Sequence, residues 1–191
     1  MRSGVRLVVL ASGAGSTAQA LLDDAELRPS ITALGSDRPG APALDRARAA
    51  GVETFTVPMS DYADRESWNR ALEKAVAEHE PDLVVLAGFM RVLDAAFVSR
   101  FRIVNTHPAL LPSFPGAHAV RDALAAGATT TGVTVHWVDE GVDTGPIIAQ
   151  VAVPVRPDDD EGRLRARIQQ AEKPLYVRTL RTLCAEEISR R

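Results

Sequence analysis

The sequence predicts an α/β fold: a parallel sheet in the N-terminal half that continues into a mixed sheet, with helices on both faces, all in a single domain. Three observations predict it. Val5 to Leu10 is a β-branched and aliphatic run interrupted by Arg6 alone, and Leu83 to Ala87 is apolar at every position, which is the pattern of a strand covered on both sides. Segments with helical periodicity separate these runs, as a parallel sheet requires. Toward the C-terminus, Gly132 to Val138 and Ile147 to Val155 alternate instead, and read as an antiparallel pair.

Taken in order, Val5 to Leu10 is a strand, Gly13-Ala14-Gly15-Ser16 a loop, and Ala18, Leu21, Leu22 and Ala25 mark a helix. Ile31 to Leu34 is a second short strand, and Pro42 to Ala50 a helix that Gly51 ends. Glu53 to Val57 is a third strand, closed by Pro58. A helix follows from Asp61 to Glu80, with Trp68, Leu72, Ala75 and Val76 inward, and Pro81 stops it. After the Leu83 to Ala87 strand, Arg102 to Thr106 forms another that ends at His107-Pro108. A proline-rich loop leads to a short helix near Ala119 to Ala126, and the alternating pair comes next. Asp159 to about Ser189 is helical, and Pro174 is expected to kink it or split it in two.

A chain of 191 residues is long enough for one substantial core and too short for two ordinary domains with a linker. With 22 Lys+Arg against 25 Asp+Glu the net charge is −3, and no basic block stands out, which argues against nucleic acid held through bulk phosphate contacts. The single cysteine, Cys184, has no partner for an internal disulfide or a thiolate metal site, so a reducing compartment fits. The apolar run from Val5 to Ala11 is too short to cross a bilayer or to serve as a signal-peptide core. The chain is therefore read as starting near Met1 and staying in the cytoplasm, with no membrane partner.

Gly13-x-Gly15 sits where a strand hands over to a helix. Backbone N–H groups there can approach an anion that the helix dipole also favours. The spacing extends to G-x-G-x-x-A through Ala18, with Asp37 19 residues further on, which imitates a Rossmann dinucleotide fingerprint. A tight turn that merely needs a permissive φ is the plainer explanation. No Gly-Lys-Ser/Thr follows, so Walker A chemistry is excluded.

Asn105 and His107 are two apart at a strand end and project to one face, at the edge where α/β proteins transform ligands. Asp143 lies in the turn-rich loop Asp139-Glu-Gly-Val-Asp-Thr-Gly-Pro146, where an aspartate often only closes an Asx turn. Taken together, an Asn donor, a His proton carrier and an Asp able to favour the charged imidazole suit acyl transfer without a nucleophilic Ser or Cys. His107, His118 and His136 lack HxH or HExxH spacing, so no metal is expected.

These segments resemble the phosphoribosylglycinamide formyltransferases, a family of folate-dependent enzymes of purine synthesis. The likeness runs nearly end to end through Ser12-Gly-Ala-Gly-Ser16, Asp82 to Arg91, Val104-Asn-Thr-His-Pro through Gly116, and Gly132 to His136 with Asp143 to Ile148. The resemblance implies a Rossmann-like half (about 1–100) and a catalytic, folate-binding half (about 101–191). It implies that Gly13, Gly15, Ser16 and Thr17 cradle the phosphate of glycinamide ribonucleotide, with Gln169 and Glu172 reaching the phosphate and ribose. Arg65, Met90, Arg91, Val92, Leu93 and Asn105 would contact 10-formyltetrahydrofolate, and Asn105, His107 and Asp143 would be catalytic. Ala14 and Thr17 stand where the family often has Asn, which shifts phosphate binding toward backbone donors. Val133 replaces a frequent Cys, as neutral packing.

A methionyl-tRNA formyltransferase or a formyltetrahydrofolate hydrolase would share the Asn/His/Asp core. The first is expected to carry a basic C-terminal domain and the second an N-terminal regulatory domain, and the 191 residues show neither. A non-catalytic nucleotide-binding module and a dinucleotide oxidoreductase are the remaining alternatives. Folding itself is expected to need none of the trio.

Overall fold

The computed structural model describes residues 4–190; Met1, read as the chain start, lies outside them. One seven-stranded sheet runs through the molecule in the order β3-β2-β1-β4-β5-β6-β7. Its strands are β1 (Leu7–Leu10), β2 (Ile31–Ser36), β3 (Glu53–Thr56), β4 (Leu83–Leu86), β5 (Ile103–His107), β6 (Thr130–Trp137) and β7 (Ile147–Pro154). The first five are mutually parallel, whereas β6 is antiparallel to β5, and β7 to β6. The helices are α1 (Ser16–Leu22), α2 (Pro42–Ala49), α3 (Arg65–Ala77), α4 (Ala95–Arg100), α5 (Ala119–Ala125) and α6 (Glu161–Ser189).

Strand periodicity divides the core into two layers. Leu7, Val9, Leu83, Val85 and Val104 pack with residues of α1, α2 and α6, while the alternate residues Val8, Leu10, Val84, Leu86 and Ile103 pack with α3 and α4. This is why β1 and β4 read as uninterrupted apolar runs: both faces of each strand are covered. Trp68 of α3 is fully buried and its indole N–H donates to the Val57 carbonyl at 2.7 Å.

Several boundaries move for identifiable reasons. α3 begins at Arg65 rather than Asp61 because Asp64 caps it, its carboxylate accepting the Ser67 N–H at 2.7 Å within a capping box. Met59–Asp61 is a separate 3-10 turn. α4 is missing from the sequence reading; Asp94 caps it by accepting the Phe97 N–H at 2.9 Å. α6 is a single helix despite Pro174, which sits on the exposed side, where water can take the Gln170 carbonyl that proline leaves unbonded. Two residues later, on the buried side, the Tyr176 hydroxyl lies 3.0 Å from both the Leu86 and Val104 carbonyls, tying α6 to the end of β4 and to β5.

Strand order reverses direction between β1 and β4, so the loops leaving these two strands diverge and open a crevice at the carboxyl edge of the sheet. Ser12 holds the two loops in register: its N–H donates to the Gly88 carbonyl at 3.1 Å, and its hydroxyl accepts the Met90 N–H at 2.8 Å.

Candidate active site

Two cavities open at this edge, one on each side of the sheet. The first is walled by Leu86, Phe89, Leu93 and Val138, with Asn105, His136 and Asp143 among its polar groups beside Arg91 and Asp139. The second is formed by the glycine loop, Gly88, Thr106, Pro108 and the Arg165 to Glu172 face of α6. Consecutive residues of β5 supply both, since Asn105 faces the first and Thr106 the second. The end of one strand therefore borders both cavities.

Pairing across β5 and β6 builds the polar cluster. Asn105 stands opposite His136, and His107 opposite Thr134, all on one face of the sheet. Asp143 reaches the same point from the β6–β7 loop. Its Oδ2 lies 3.2 Å from His107 Nδ1 and accepts the Gly116 N–H at 2.7 Å, while Oδ1 is 3.6 Å from His136 Nε2. Its backbone is left-handed, φ 56°, which aims the carboxylate inward. The Asx turn of that loop belongs to Asp139, whose carboxylate accepts from Gly141 N–H and the Thr144 hydroxyl.

The Phe114 carbonyl is 2.7 Å from His107 Nε2, so each ring nitrogen of His107 faces an acceptor. A ring carrying a proton on both nitrogens satisfies the carbonyl and the carboxylate together. Behind it, the Thr134 hydroxyl donates to the Ala109 carbonyl at 2.7 Å and accepts from Leu111 N–H and Gln150 Nε2. This buried network anchors the segment that follows His107.

His136 is 2% exposed, and desolvation lowers its pKa below the usual imidazole range against the opposing pull of the Trp137 carbonyl and the Asp143 charge. Its Nδ1–H donates to the Trp137 carbonyl at 2.8 Å, which leaves Nε2 to accept from Asn105 Nδ2 at 3.5 Å. The neutral ring thereby orients the Asn105 amide. His136 entered the sequence reading as a histidine without metal spacing and as the end of the Gly132 to His136 segment, with no role of its own; its place opposite Asn105 depends on cross-strand register, which a linear pattern does not display.

The structure brings together most of the sequence-predicted groups. Gly13, Gly15, Ser16, Thr17, Gln169 and Glu172 line the second cavity, and Arg91, Val92, Leu93 and Asn105 line the first. Met90 faces the second cavity and not the first. Arg65 is on neither wall: it stacks over Trp68 at 4.6 Å and donates to the Val92 carbonyl, supporting that loop from behind. His107 is itself just behind the first cavity, 4% exposed. Arg165 belongs to the second cavity and was not singled out from the sequence. Among the described residues no group of three or more His, Cys, Asp or Glu is placed to hold a metal ion, and no helix is long and apolar enough to cross a membrane.

Asp37 answers the dinucleotide question. Its fully buried carboxylate pairs with Arg91 Nε at 2.6 Å and is withdrawn from the glycine-loop cavity, so the acidic group that a dinucleotide ribose requires there is committed elsewhere.

Glu172 shows the opposite tension. Burial raises its pKa above 4.5, opposed by the Thr17 hydroxyl, which donates to it at 2.8 Å, and by Lys173. A carboxyl whose folded pKa is raised costs stability as pH climbs past the unfolded value, because the folded chain holds its proton longer. Glu172→Gln is therefore expected to melt higher than the parent at pH 7.5, with the advantage shrinking toward pH 4.5. Melting curves across that range check it, and a pH-independent difference would contradict it.

A mixed, mostly parallel sheet with a switch-point crevice, two cavities at its edge and a His–Asp–Asn cluster beside one of them is the arrangement of a group-transfer enzyme of the α/β class. The comparisons with known proteins agree in detail. The family profile described as Formyl transferase matches residues 5–180. The chain is 50% identical over 188 residues to the phosphoribosylglycinamide formyltransferase of Mycobacterium tuberculosis, covering 96% of this chain and 87% of that protein. It is 45% identical over 185 residues to the trifunctional purine biosynthetic protein adenosine-3 of Drosophila melanogaster, covering 93% of this chain and 14% of that one. The crystal structure of glycinamide ribonucleotide transformylase 1 from Symbiobacterium toebii superimposes with a TM-score of 0.92 at 40% identity, over 96% of this chain and 89% of that chain. The chain belongs to the formyl transferase family.

Proposed function

We propose that this formyl transferase moves the formyl group of 10-formyltetrahydrofolate to the primary amine of glycinamide ribonucleotide, giving formylglycinamide ribonucleotide and tetrahydrofolate in purine biosynthesis. The observation that carries this reading is the convergence of Asn105, His107, His136 and Asp143 beside the first cavity, at the end of the strand that also borders the second. The relatives named for this reaction support the choice of substrates.

The ribonucleotide phosphate enters the second cavity, against the first-turn amides of α1, which have no intrahelical acceptors. Gln169 and Glu172, three apart on α6, take the phosphate and ribose. The pterin ring of the folate lies between Leu86, Phe89, Leu93 and Val138, with the backbone of Arg91 to Leu93 at its polar edge.

The attacking amine must be unprotonated, and an α-amino group with a pKa near ~8 is mostly charged at neutral pH, so it gives up a proton before attack. Attack makes the formyl carbon tetrahedral and its oxygen negative. The Asn105 amide has two hydrogens; one faces His136, and the other is available to that oxygen. His107, once its Nε2–H leaves the Phe114 carbonyl, stabilises the oxygen and delivers a proton to N10 of the departing folate, directly or through a water. The attacking nitrogen sheds a proton as it becomes the amide, which replaces the one that His107 gave to N10, and Asp143 favours the charged ring before and after the transfer.

The test is spectrophotometric. Conversion of 10-formyltetrahydrofolate to tetrahydrofolate is followed with and without glycinamide ribonucleotide. Amine-dependent loss of the formyl donor is expected. Equal loss without the amine would instead mark a hydrolase.

A further inference from the structure

The second cavity contains a cation that the reaction scheme above leaves without a task. Of the described side chains lining it, Arg165 and Glu172 are the ionisable ones, and Glu172 bears the wrong charge for a phosphate. Arg165, Ile168, Gln169 and Glu172 fall at i, i+3, i+4 and i+7 on α6, so one helix face presents all four. Ile168 is buried in the core and fixes that face toward the glycine loop. The opposing loop, Gly13-Ala-Gly-Ser-Thr17, offers no side-chain cation or amide, and the Thr17 hydroxyl is spent on Glu172.

Arg165 is held lightly. Its Nη2 meets Glu161 Oε1 at 2.6 Å, one turn back, and both side chains are about half exposed at 48% and 49%. Such an i,i+4 pair in water contributes little and exchanges partners readily. A phosphate oxygen in the cavity competes well for the guanidinium, whose planar fork matches phosphate geometry and whose charge is otherwise offset only by Glu161.

We infer that Arg165 is the cationic clamp for the phosphate of the incoming substrate, and that it leaves Glu161 for that phosphate when the ligand enters. The inference rests on the substrate reading above and deepens it. It assigns to α6 the charge neutralisation that the loop side chains do not provide.

Steady-state kinetics on Arg165→Gln test it, with Arg163→Gln as the charge-matched control, since Arg163 faces Asp158 and Asp160 away from the cavity. The expected result is a KM for glycinamide ribonucleotide raised about tenfold in Arg165→Gln, the scale of one charge-assisted contact. Its kcat and its KM for 10-formyltetrahydrofolate should stay within about twofold of the parent, and Arg163→Gln should match the parent throughout. Glu161→Gln should lower the KM for the ribonucleotide, and an unchanged or higher value would overturn the partner exchange. In parallel, inorganic phosphate should raise the melting temperature of the parent and Arg163→Gln but not of Arg165→Gln. If Arg165→Gln and Arg163→Gln are indistinguishable in both measurements, the clamp is overturned. If the parent fails to turn over the ribonucleotide while phosphate still protects it through Arg165, the substrate reading fails and the clamp stands.

Discussion

Replacing His107 with alanine is expected to lower kcat by ~10²-fold or more while leaving KM for both substrates near the parent values, because the ring acts on charge that develops only as the formyl carbon becomes tetrahedral. Asp143→Asn should approach the same loss. The amide keeps the carboxylate's shape and can still accept the Gly116 N–H, but it removes the negative charge 3.2 Å from His107 Nδ1. The two residues act as a unit, so the double variant should be little worse than the poorer single one. Turnover close to the parent in either purified, folded variant would remove that residue from the mechanism. Stability separates the pair. The sequence suggested that folding needs none of these groups, yet His107 is 4% exposed and bonded on both sides. Alanine there leaves the Phe114 carbonyl and the Asp143 carboxylate short of a partner, so His107→Ala should melt below Asp143→Asn.

Gly15→Ala carries the second large effect, first on stability and then on substrate binding. Gly15 has φ 72°, and a Cβ on it would come within 2.6 Å of Ala43 Cβ and 2.7 Å of Ala43 Cα. The left-handed conformation costs an L-residue about 1–2 kcal/mol, and overlap with a neighbouring backbone adds about 1–3 kcal/mol. Relief requires α2 to back away from α1 or the loop to open, and either distorts the phosphate cradle. A loss of about 2–5 kcal/mol is expected, worth roughly 4–20 °C in melting temperature for a chain of this size. The KM for glycinamide ribonucleotide should rise as well. Gly13→Ala is the matched comparison, because a Cβ at Gly13 meets nothing within 4 Å. Equal melting temperatures for the two variants would refute the steric account.

The ends of the elements show where linear reading stops. Pro174 was expected to kink or split the last helix, and it does not split Glu161–Ser189, because the face on which it lies is exposed and water can take the carbonyl it leaves unbonded. α4 went unread since its six residues are too few to establish a period, and its cap, Asp94, is recognisable only once the Phe97 N–H is seen to need an acceptor. Arg65 was placed against the folate, whereas its guanidinium grips the Val92 carbonyl behind the cavity wall.

The sequence by itself determined the class of fold and singled out the trio. Apolar runs report burial on both faces of a strand, glycines report where the backbone must approach something closely, and Asn105 and His107 share a face by the two-residue period alone. Tertiary structure alone decided which groups meet. It placed His136 opposite Asn105, turned Asp143 inward while Asp139 took the turn, drew Asp37 out of the glycine-loop cavity to Arg91, and set Arg165 in that cavity's wall. The physical reason is common to all four. Each depends on strand register or on the packing of one element against a distant one, and those are fixed by the summed burial of the whole core rather than by any local run of residues.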